Sequence, residues 1–210
     1  MMAAPTQVVL EGVGRSYGRR LVFRGITVSI PDRSSFLAWG PNGSGKTTLL
    51  AVISGLVACT QGRVTLYVDG HILDAAGRRR QLGLVSPILG LYPQLTAEEH
   101  LELALKVRGF SSDRAALRAV LGRVGLGRRQ RDPVAEYSTG MAQRLKYALA
   151  IAHEPRILVL DEPFSNLDPE GVGMARAIMD EQVRRGIVIA AACDRGEWAD
   201  AHTVLSLAPA

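Results

Sequence analysis

GPNGSGKT, residues 40–47, matches the pattern GxxxxGK[ST] and stands between two segments of different character. The run before it, Ser35–Trp39, predicts a short strand, and the stretch Lys46–Ser54 predicts a helix that Gly55 closes. Glycines allow successive backbone N–H groups to turn inward around phosphate oxygens, while the helix points its positive N-terminal end at the same anion. Because every fixed position is filled and both flanking elements are present, the pattern predicts a phosphate-binding loop.

This loop contains most of the candidate nucleotide contacts. We expect Lys46 to reach the β- and γ-phosphates of a nucleoside triphosphate and to be a catalytic residue. The Thr47 hydroxyl is expected to bind Mg²⁺, which keeps several waters and bridges the phosphates. The candidate cofactor-binding residues of the loop are Gly40, Pro41, Asn42, Gly43, Ser44, Gly45, Lys46, Thr47 and Thr48.

A second motif ends an apolar strand. The run Ile157–Leu160 is followed directly by Asp161 and Glu162, and ligands of parallel sheets bind outside the carboxyl ends of the strands. Adjacent residues project differently there, so Asp161 can bind Mg²⁺ while Glu162 orients or deprotonates the attacking water. Acidic residues after a strand also cap helices, which is the alternative for this pair taken alone. Together with the phosphate loop, the pair predicts a metal ligand, Asp161, and a catalytic residue, Glu162.

Strands that alternate with helices predict an α/β fold with right-handed crossovers and a mainly parallel sheet. Three short strands precede or flank the loop, at Gln7–Val13, Gly25–Ile30 and Arg63–Val68, and the Asp69-Gly70 pair predicts a hairpin turn. Later elements are predicted as a strand at Gln81–Val85, a helix capped by Thr96 and Glu99 and running to about Arg108, a helix capped by Ser112 or Asp113, a helix over Thr139–His153, a strand at Arg156–Leu160, a helix from Asp168 to near Gly186 and a strand at Ile187–Ala192. We expect one domain over residues 1–210, with a β lobe mainly within 1–75 and a helical lobe at about 88–137.

Composition fits one globular unit. The 210 residues carry a formal net charge of +5, and 47% of them are hydrophobic. No apolar run approaches the roughly 20 residues that span a bilayer, and Met1–Gln7 lacks the features of a secretion signal, so we expect a cytoplasmic location. Cys59 and Cys193 form no metal or disulfide pattern. The arginines at 78–80 and 128–131 are interpreted as solvated faces, and without interleaved aromatic residues we expect no nucleic-acid partner.

Two further segments resemble those of one ATPase family. The stretch Tyr137–Arg144, YSTGMAQR, resembles the signature segment of ABC ATPases, and Phe164–Asp168, FSNLD, resembles their D-loop. The order of phosphate loop, signature, acidic strand and D-loop covers essentially the whole chain. The resemblance implies a P-loop NTPase fold with a RecA-like parallel core, an antiparallel β lobe and a helical lobe, with ATP and Mg²⁺ as cofactors. No guanine-reading NKxD-like motif is present, which argues against a GTPase.

The resemblance also implies partners and further site residues. Two such domains pair head to tail, so that Ser138 and Gly140 of one subunit close over ATP on the phosphate loop of the other; by itself, Ser138 is equally typical of a helix cap. Tyr17 falls where the family places an aromatic residue that stacks on adenine, although a core or hairpin tyrosine is the alternative. The subunit is expected to bind an integral membrane permease at the inner face of the cell membrane and to energise transport.

Two positions depart from the family pattern. Pro87 falls where the family has a glutamine near Mg²⁺, and Ser86 beside it is at best a weaker substitute. Cys193 falls where the family has a histidine at the γ-phosphate, and a thiol cannot reproduce imidazole hydrogen bonding. We therefore expect intact ATP binding with reduced turnover. Gln94 lies too far downstream to replace the glutamine.

Three alternatives stay open at this point. The chain is similar in size to the small haem-export ATPases of cytochrome c maturation, but other export cassettes share that brevity. It fits, alternatively, a weakly hydrolysing half of an asymmetric ABC pair. A soluble ABC ATPase without a transport role is less consistent with the short chain, because such proteins usually carry tandem cassettes or long insertions. The sequence does not encode the transported substrate or the direction of transport.

Overall fold

An antiparallel sheet occupies the first part of the chain. The computed structural model describes residues 5–208, apart from the side chain of Glu197. The stretch Met1–Gln7, for which no secretion signal was predicted, therefore lies partly outside the described residues. In chain-order numbering, the sheet has the order β2-β1-β4-β5. Its strands are β1 (Gln7–Tyr17), β2 (Arg20–Ile30), β4 (Gln61–Val68) and β5 (His71–Ile72). The predicted Asp69-Gly70 turn joins β4 to β5, with both residues at positive φ.

Strands β1 and β2 are longer than predicted because bulges hide their alternation. The β1–β2 register shifts between Leu10 and Val13 and twice more before Ser16. A bulge adds a residue to one strand, so the period-two pattern of buried side chains is lost while pairing continues. Pairing therefore extends to Tyr17, which lies opposite Arg20 at the end of the hairpin.

A parallel sheet contains the rest of the strands in residues 5–208. Its order is β6-β7-β8-β3-β9, which confirms the predicted mixed fold with an antiparallel and a parallel sheet. Its strands are β3 (Ser35–Trp39), β6 (Leu82–Val85), β7 (Ile157–Asp161), β8 (Ile187–Ala192) and β9 (Thr203–Ser206). Strand β9 was not predicted. His202 precedes it, and its Nδ1 lies 2.7 Å from the Ser35 hydroxyl at the opposite end of the sheet from the phosphate loop.

Every α-helix among residues 5–208 except the first begins at a residue whose side chain caps it. They are α1 (Lys46–Ile53), α2 (Ala75–Gln81), α3 (Ala97–Val107), α4 (Arg114–Arg123), α5 (Thr139–Ile151) and α6 (Pro169–Arg185). Thr96 and Glu99 form the predicted capping box at α3, Asp113 rather than Ser112 caps α4, and Asp168 caps α6. Helix α2 was missed because it buries no residue and so has no apolar period, although Asp74 caps it.

The basic run at the end of α2 is only partly a solvated face. Arg79 and Arg80 are exposed, as predicted for both. Arg78 is half-buried, and its guanidinium donates to the backbone oxygens of Ile53 and Val64. That interpretation was therefore wrong for Arg78, whose side chain joins the end of α1 to β4.

The parallel sheet separates two apolar cores. Alternate residues of β7 face opposite sides: Leu158 and Leu160 pack with helices α3 to α6, whereas Ile157 and Val159 pack with α1 and the antiparallel sheet. Burial on both faces explains why this strand is a continuous apolar run rather than an alternating one. The carboxyl ends of β3, β6, β7 and β8 consequently meet at one edge of a rigid layer.

Candidate functional site

The phosphate loop begins at that edge, directly after β3. Lys46 is 6% exposed, and its Nζ donates to the backbone oxygens of Gly40 at 2.7 Å and Pro41 at 3.0 Å. A buried ammonium must be paired or hydrogen-bonded, and here the loop itself provides the acceptors. The lysine side chain thus lies inside the loop, where two carbonyl oxygens hold its amino group.

The backbone of the loop fits an anion. Gly43 and Gly45 have φ values of 81° and 95°, in the left-handed region that favours glycine, and a Cβ on Gly45 would lie 2.6 Å from Val22 Cγ1. Helix α1 has no side-chain cap hydrogen bond and no acidic residue in its first turn. Ser44 Oγ is buried and has no hydrogen-bond partner among the described residues. An unpaired buried hydroxyl beside uncapped helical N–H groups is what a bound phosphate would satisfy.

Asp161 and Thr47 form the candidate metal corner. Thr47 Oγ1 donates to Asp161 Oδ1 at 3.2 Å, and Ser86 Oγ donates to Oδ2 at 3.3 Å. Burial raises the pKa of Asp161, and the hydrogen bonds from Thr47 and Ser86 offset only part of that effect. A carboxylate that is costly to ionise in place gains from a nearby cation, so a hydroxyl and a buried carboxylate oxygen here fit Mg²⁺.

Glu162 faces the same space in a strained backbone conformation. Its φ is 52°, which L-residues rarely adopt, and its N–H donates to the Ala191 oxygen at 3.0 Å. The half-buried side chain lines a cavity of about 430 Å³ together with Lys46 and Thr47. The structure therefore brings both predicted catalytic residues and one predicted metal ligand to a single cavity.

Tyr17 lies on another wall of this cavity. Its side chain is 49% exposed, and the Arg15 guanidinium carbon lies 4.3 Å from the ring centroid. A half-exposed ring at a cavity wall differs from a core tyrosine. Arg20 also lines the cavity and was not identified from the sequence, because only the β1–β2 hairpin brings it beside Tyr17.

The signature residues lie elsewhere. Ser138 caps α5 by accepting from Met141 N–H at 3.2 Å, and a Cβ on Gly140 would come within 3.0 Å of the Asn166 oxygen. Neither residue is among those that line the 430 Å³ cavity in the described part of the chain. The buried Arg144 of the same helix donates to Asp168 Oδ1 at 2.7 Å, which ties the signature segment to the FSNLD segment.

The structure also shows where the two departures from the family pattern, Pro87 and Cys193, lie. Cys193 follows β8 directly, is exposed, and its Sγ donates to Asn42 Oδ1 of the phosphate loop at 3.0 Å. Pro87 is exposed and follows the buried Ser86 at the end of β6. Cys193 thus borders the phosphate loop, whereas Pro87 follows the residue that donates to Asp161.

A separate apolar groove lies beyond Pro87. Its volume is about 450 Å³. Leucines 56, 82, 84, 89, 91 and 149 contribute to its walls, and the cationic side chains of Arg78, Arg79, Arg108 and Lys146 also line it. No helix among residues 5–208 has the length and apolar character needed to cross a membrane.

Comparison with known proteins identifies relatives over most of the chain. The family model described as ABC transporter matches residues 23–165. The linearmycin resistance ATP-binding protein LnrL of Bacillus subtilis (strain 168) is 37% identical over 164 residues, which is 76% of this chain but 52% of that protein. The lantibiotic transport ATP-binding protein SrtF of Streptococcus pyogenes is 31% identical over 180 residues, covering 86% of this chain and 76% of SrtF.

Solved structures give the same assignment of fold. A structure described as the ATP-binding subunit of an ABC transporter superposes with a TM-score of 0.82 at 27% identity, over 95% of this chain and 85% of that one. A bacterial Atm1-family ABC exporter with ATP bound superposes with a TM-score of 0.85 over 99% of this chain and 38% of its own. At 21% identity, the second comparison supports the fold alone.

Proposed function

The chain belongs to the ABC transporter family, and on that premise we propose that it binds ATP with Mg²⁺, hydrolyses it, and energises substrate movement by a separately encoded membrane permease. The observation that carries the proposal is the contact between Thr47 and Asp161 beside the lysine-bearing loop. We further propose that residues 1–210 form one cassette, positioned at the inner face of the cell membrane through its permease.

The residues divide into three roles. The loop from Gly40 to Thr48 holds the phosphates, with Lys46 carrying the positive charge, and Tyr17 stacks on the adenine. Thr47 and Asp161 hold Mg²⁺, which when bound neutralises developing charge on the phosphate oxygens. These assignments are supported by the shared cavity, the uncapped start of α1 and the buried carboxylate at its edge.

Glu162 is proposed to orient and deprotonate the attacking water. Its carboxylate is close enough to the loop to line the same cavity as Lys46. The rigid end of β7 and the bond from its N–H to Ala191 hold its backbone in an otherwise unfavourable conformation. Such strain persists at functional sites where the surrounding structure fixes it.

A second cassette would complete the site. Ser138 and Gly140 lie outside the 430 Å³ cavity in the described chain, yet they begin a helix whose N–H groups suit a γ-phosphate. We propose that they act on ATP held by another subunit, in a homodimer or heterodimer. The groove beyond Pro87, which is lined by leucines and by cationic side chains, is the proposed docking site for the permease.

The proposed turnover is lower than that of relatives with the usual glutamine and histidine. Pro87 has no side-chain hydrogen-bonding group, and Cys193 offers only a weak donor near Asn42. Losing one positioned transition-state contact slows chemistry on the order of a hundred- to a thousandfold. The same two residues favour a second candidate, in which this chain is the weakly hydrolysing half of an asymmetric pair.

Steady-state Mg²⁺-dependent ATP turnover by the purified chain tests the proposal. We expect measurable turnover that Glu162→Gln abolishes while ATP binding persists, and faster turnover in Cys193→His, by up to on the order of a hundredfold. The exposed Glu102→Gln on α3 is the matched control and should turn over ATP at the wild-type rate. Tight ATP binding without turnover in any form would favour the asymmetric pair, and absence of ATP binding would contradict both candidates.

A further inference from the structure

Asp161 is held by hydroxyl groups from two directions. Thr47 donates to one carboxylate oxygen and Ser86 to the other, at 3.2 and 3.3 Å. Asp161 and Ser86 are 2% and 3% exposed, so water does not replace either bond freely. Strand pairing brings the two side chains together, because Val85 lies opposite Leu160 and the residues that come next, Ser86 and Asp161, lie at the same edge of the sheet.

Ser86 is in turn fixed by a lysine from α5. Lys146 Nζ donates to the Ser86 backbone oxygen at 3.1 Å. The same side chain lines the 450 Å³ groove, and burial lowers its pKa. A partly buried ammonium needs hydrogen-bond acceptors for its N–H groups, so the acceptor that it finds fixes its position.

We propose that Ser86 is a positioning residue for Asp161 and that Lys146 fixes Ser86, so that these two side chains set the affinity of the corner for its divalent cation. The proposal rests on the proposed function, because it assigns Asp161 to the metal. Without the Ser86 hydroxyl, Asp161 Oδ2 is a buried acceptor with no other hydrogen-bond donor among the described residues, and only the hydrogen bond from Thr47 still orients the carboxylate. Partners that orient a metal ligand typically contribute about 10- to 100-fold in metal affinity or activity.

Lys146 also connects the corner to the groove. One side chain lies on the groove wall and, through the Ser86 carbonyl, holds the end of β6 beside Asp161. The path from groove to metal corner therefore needs only two hydrogen bonds, Lys146 to Ser86 and Ser86 to Asp161.

The test measures Mn²⁺ affinity by electron paramagnetic resonance of the full chain with saturating ATP, using Mn²⁺ as the probe for Mg²⁺. We expect Ser86→Ala to weaken Mn²⁺ binding roughly tenfold and Ser86→Thr, which keeps the hydroxyl, to restore it. Ser34→Ala is the matched control, because it removes a buried serine bond to the Pro31 oxygen at the other end of the sheet. It should bind Mn²⁺ like the wild type.

A second arm tests the lysine. Lys146→Met should weaken Mn²⁺ binding at least threefold, whereas Lys106→Met, an exposed lysine of α3, should not. ATP affinity in EDTA is measured alongside and should be unchanged in the serine and lysine variants. Wild-type Mn²⁺ affinity in Ser86→Ala or in Lys146→Met would overturn the proposal, whereas a wild-type chain that binds no ATP would overturn the proposed function instead.

Discussion

At the scale of single residues, the site combines strained and costly features that the fold holds in place. Glu162 sits at φ 52° and Asp161 is a buried carboxylate whose pKa is raised by burial. The backbone conformation of Glu162 costs on the order of 1–3 kcal/mol. Burial of the Asp161 carboxylate adds a desolvation cost. Both residues end or follow β7, whose four apolar residues are fully buried, so a well-packed strand offsets the cost.

Tyr17 allows a prediction at this scale. The Arg15 guanidinium covers one face of its ring, and the ring lines the cavity next to the phosphate loop. If the ring stacks on adenine, Tyr17→Ala should weaken ATP binding by about 1–3 kcal/mol, and Tyr17→Phe should keep most of the affinity because stacking needs the ring and not the hydroxyl. Fluorescence titration with a labelled ATP analogue measures both.

The control for this prediction is another exposed tyrosine. Tyr92 is 61% exposed and lies outside the cavity lining, so Tyr92→Ala should bind the nucleotide like the wild type. Stacking is tolerant of the purine, so GTP affinity should fall with ATP affinity in Tyr17→Ala. Unchanged affinity for both nucleotides in that variant would show that Tyr17 is a hairpin residue without a stacking role.

At the scale of elements, the sequence predicts best where one motif lies within one continuous segment. The strand β3, the loop and α1 follow from local glycine placement and apolar runs, and β8 was predicted with its observed limits. Caps at Thr96 and Asp168 also act within a few residues. These features need no knowledge of which strands are neighbours.

Contacts between distant segments could not be predicted from the sequence. The pairing of Ser86 with Asp161 depends on β6 and β7 being adjacent and in register, and 75 positions separate the two residues. Arg20 joins the cavity through a hairpin whose bulges disguise its length. Lys146 is one polar position on a helix, and its hydrogen bond to the Ser86 oxygen depends on how α5 packs on β6.

The packing of α5 on β6 also gives a pH prediction. His153 follows α5 and its Nε2 lies 3.1 Å from the Leu82 oxygen. Burial lowers the pKa of His153 to about 4, with Arg108 and Arg185 adding to the effect and the Leu82 bond opposing it. As the pH falls, His153 therefore takes up a proton near pH 6.5 in the unfolded chain but only near pH 4 in the folded chain.

The stability from neutral His153 is thus complete above about pH 6.5 and is lost as the pH falls toward 4. By pH 5 the loss should be about 2 kcal/mol. Urea unfolding at pH 7.5 and pH 5 measures it, and His153→Gln should show a correspondingly smaller acid-side loss. His71→Gln, at an exposed histidine of β5, is the control that should retain the wild-type loss. Equal losses in wild type and His153→Gln would rule out this source of acid sensitivity.

At the scale of the whole molecule, the phosphate-loop cavity and the signature helix are separate surfaces that the segment from Glu162 to Asp168 connects. Arg144 ties α5 to Asp168, and the segment that follows Glu162 leads directly to that residue. Gly140 lies against Asn166 in the same segment. The signature segment is therefore connected to the residues that follow Glu162 within this chain.

A head-to-tail pair predicts complementation between two inactive variants. Lys46→Ala removes the charge of the phosphate loop, and Ser138→Arg blocks the signature surface, so each homodimer should lack turnover at both sites. In a mixed dimer, one site carries both defects and the other carries neither. Random pairing makes half of the dimers mixed, with one working site of two, so an equal mixture should recover roughly a quarter of wild-type turnover.

Ser138→Arg also removes the α5 cap and should lower stability by about 1 kcal/mol, so thermal unfolding of both variants must confirm folding at the assay temperature. A mixture of Lys46→Ala with Glu162→Gln is the matched control. Both of its defects lie on the phosphate-loop side, so every site in the mixed dimer keeps one defect and turnover should stay absent. Recovery only with Ser138→Arg would place the signature on the partner's ATP, whereas no recovery in either mixture would show that each subunit acts on its own nucleotide or needs a different partner.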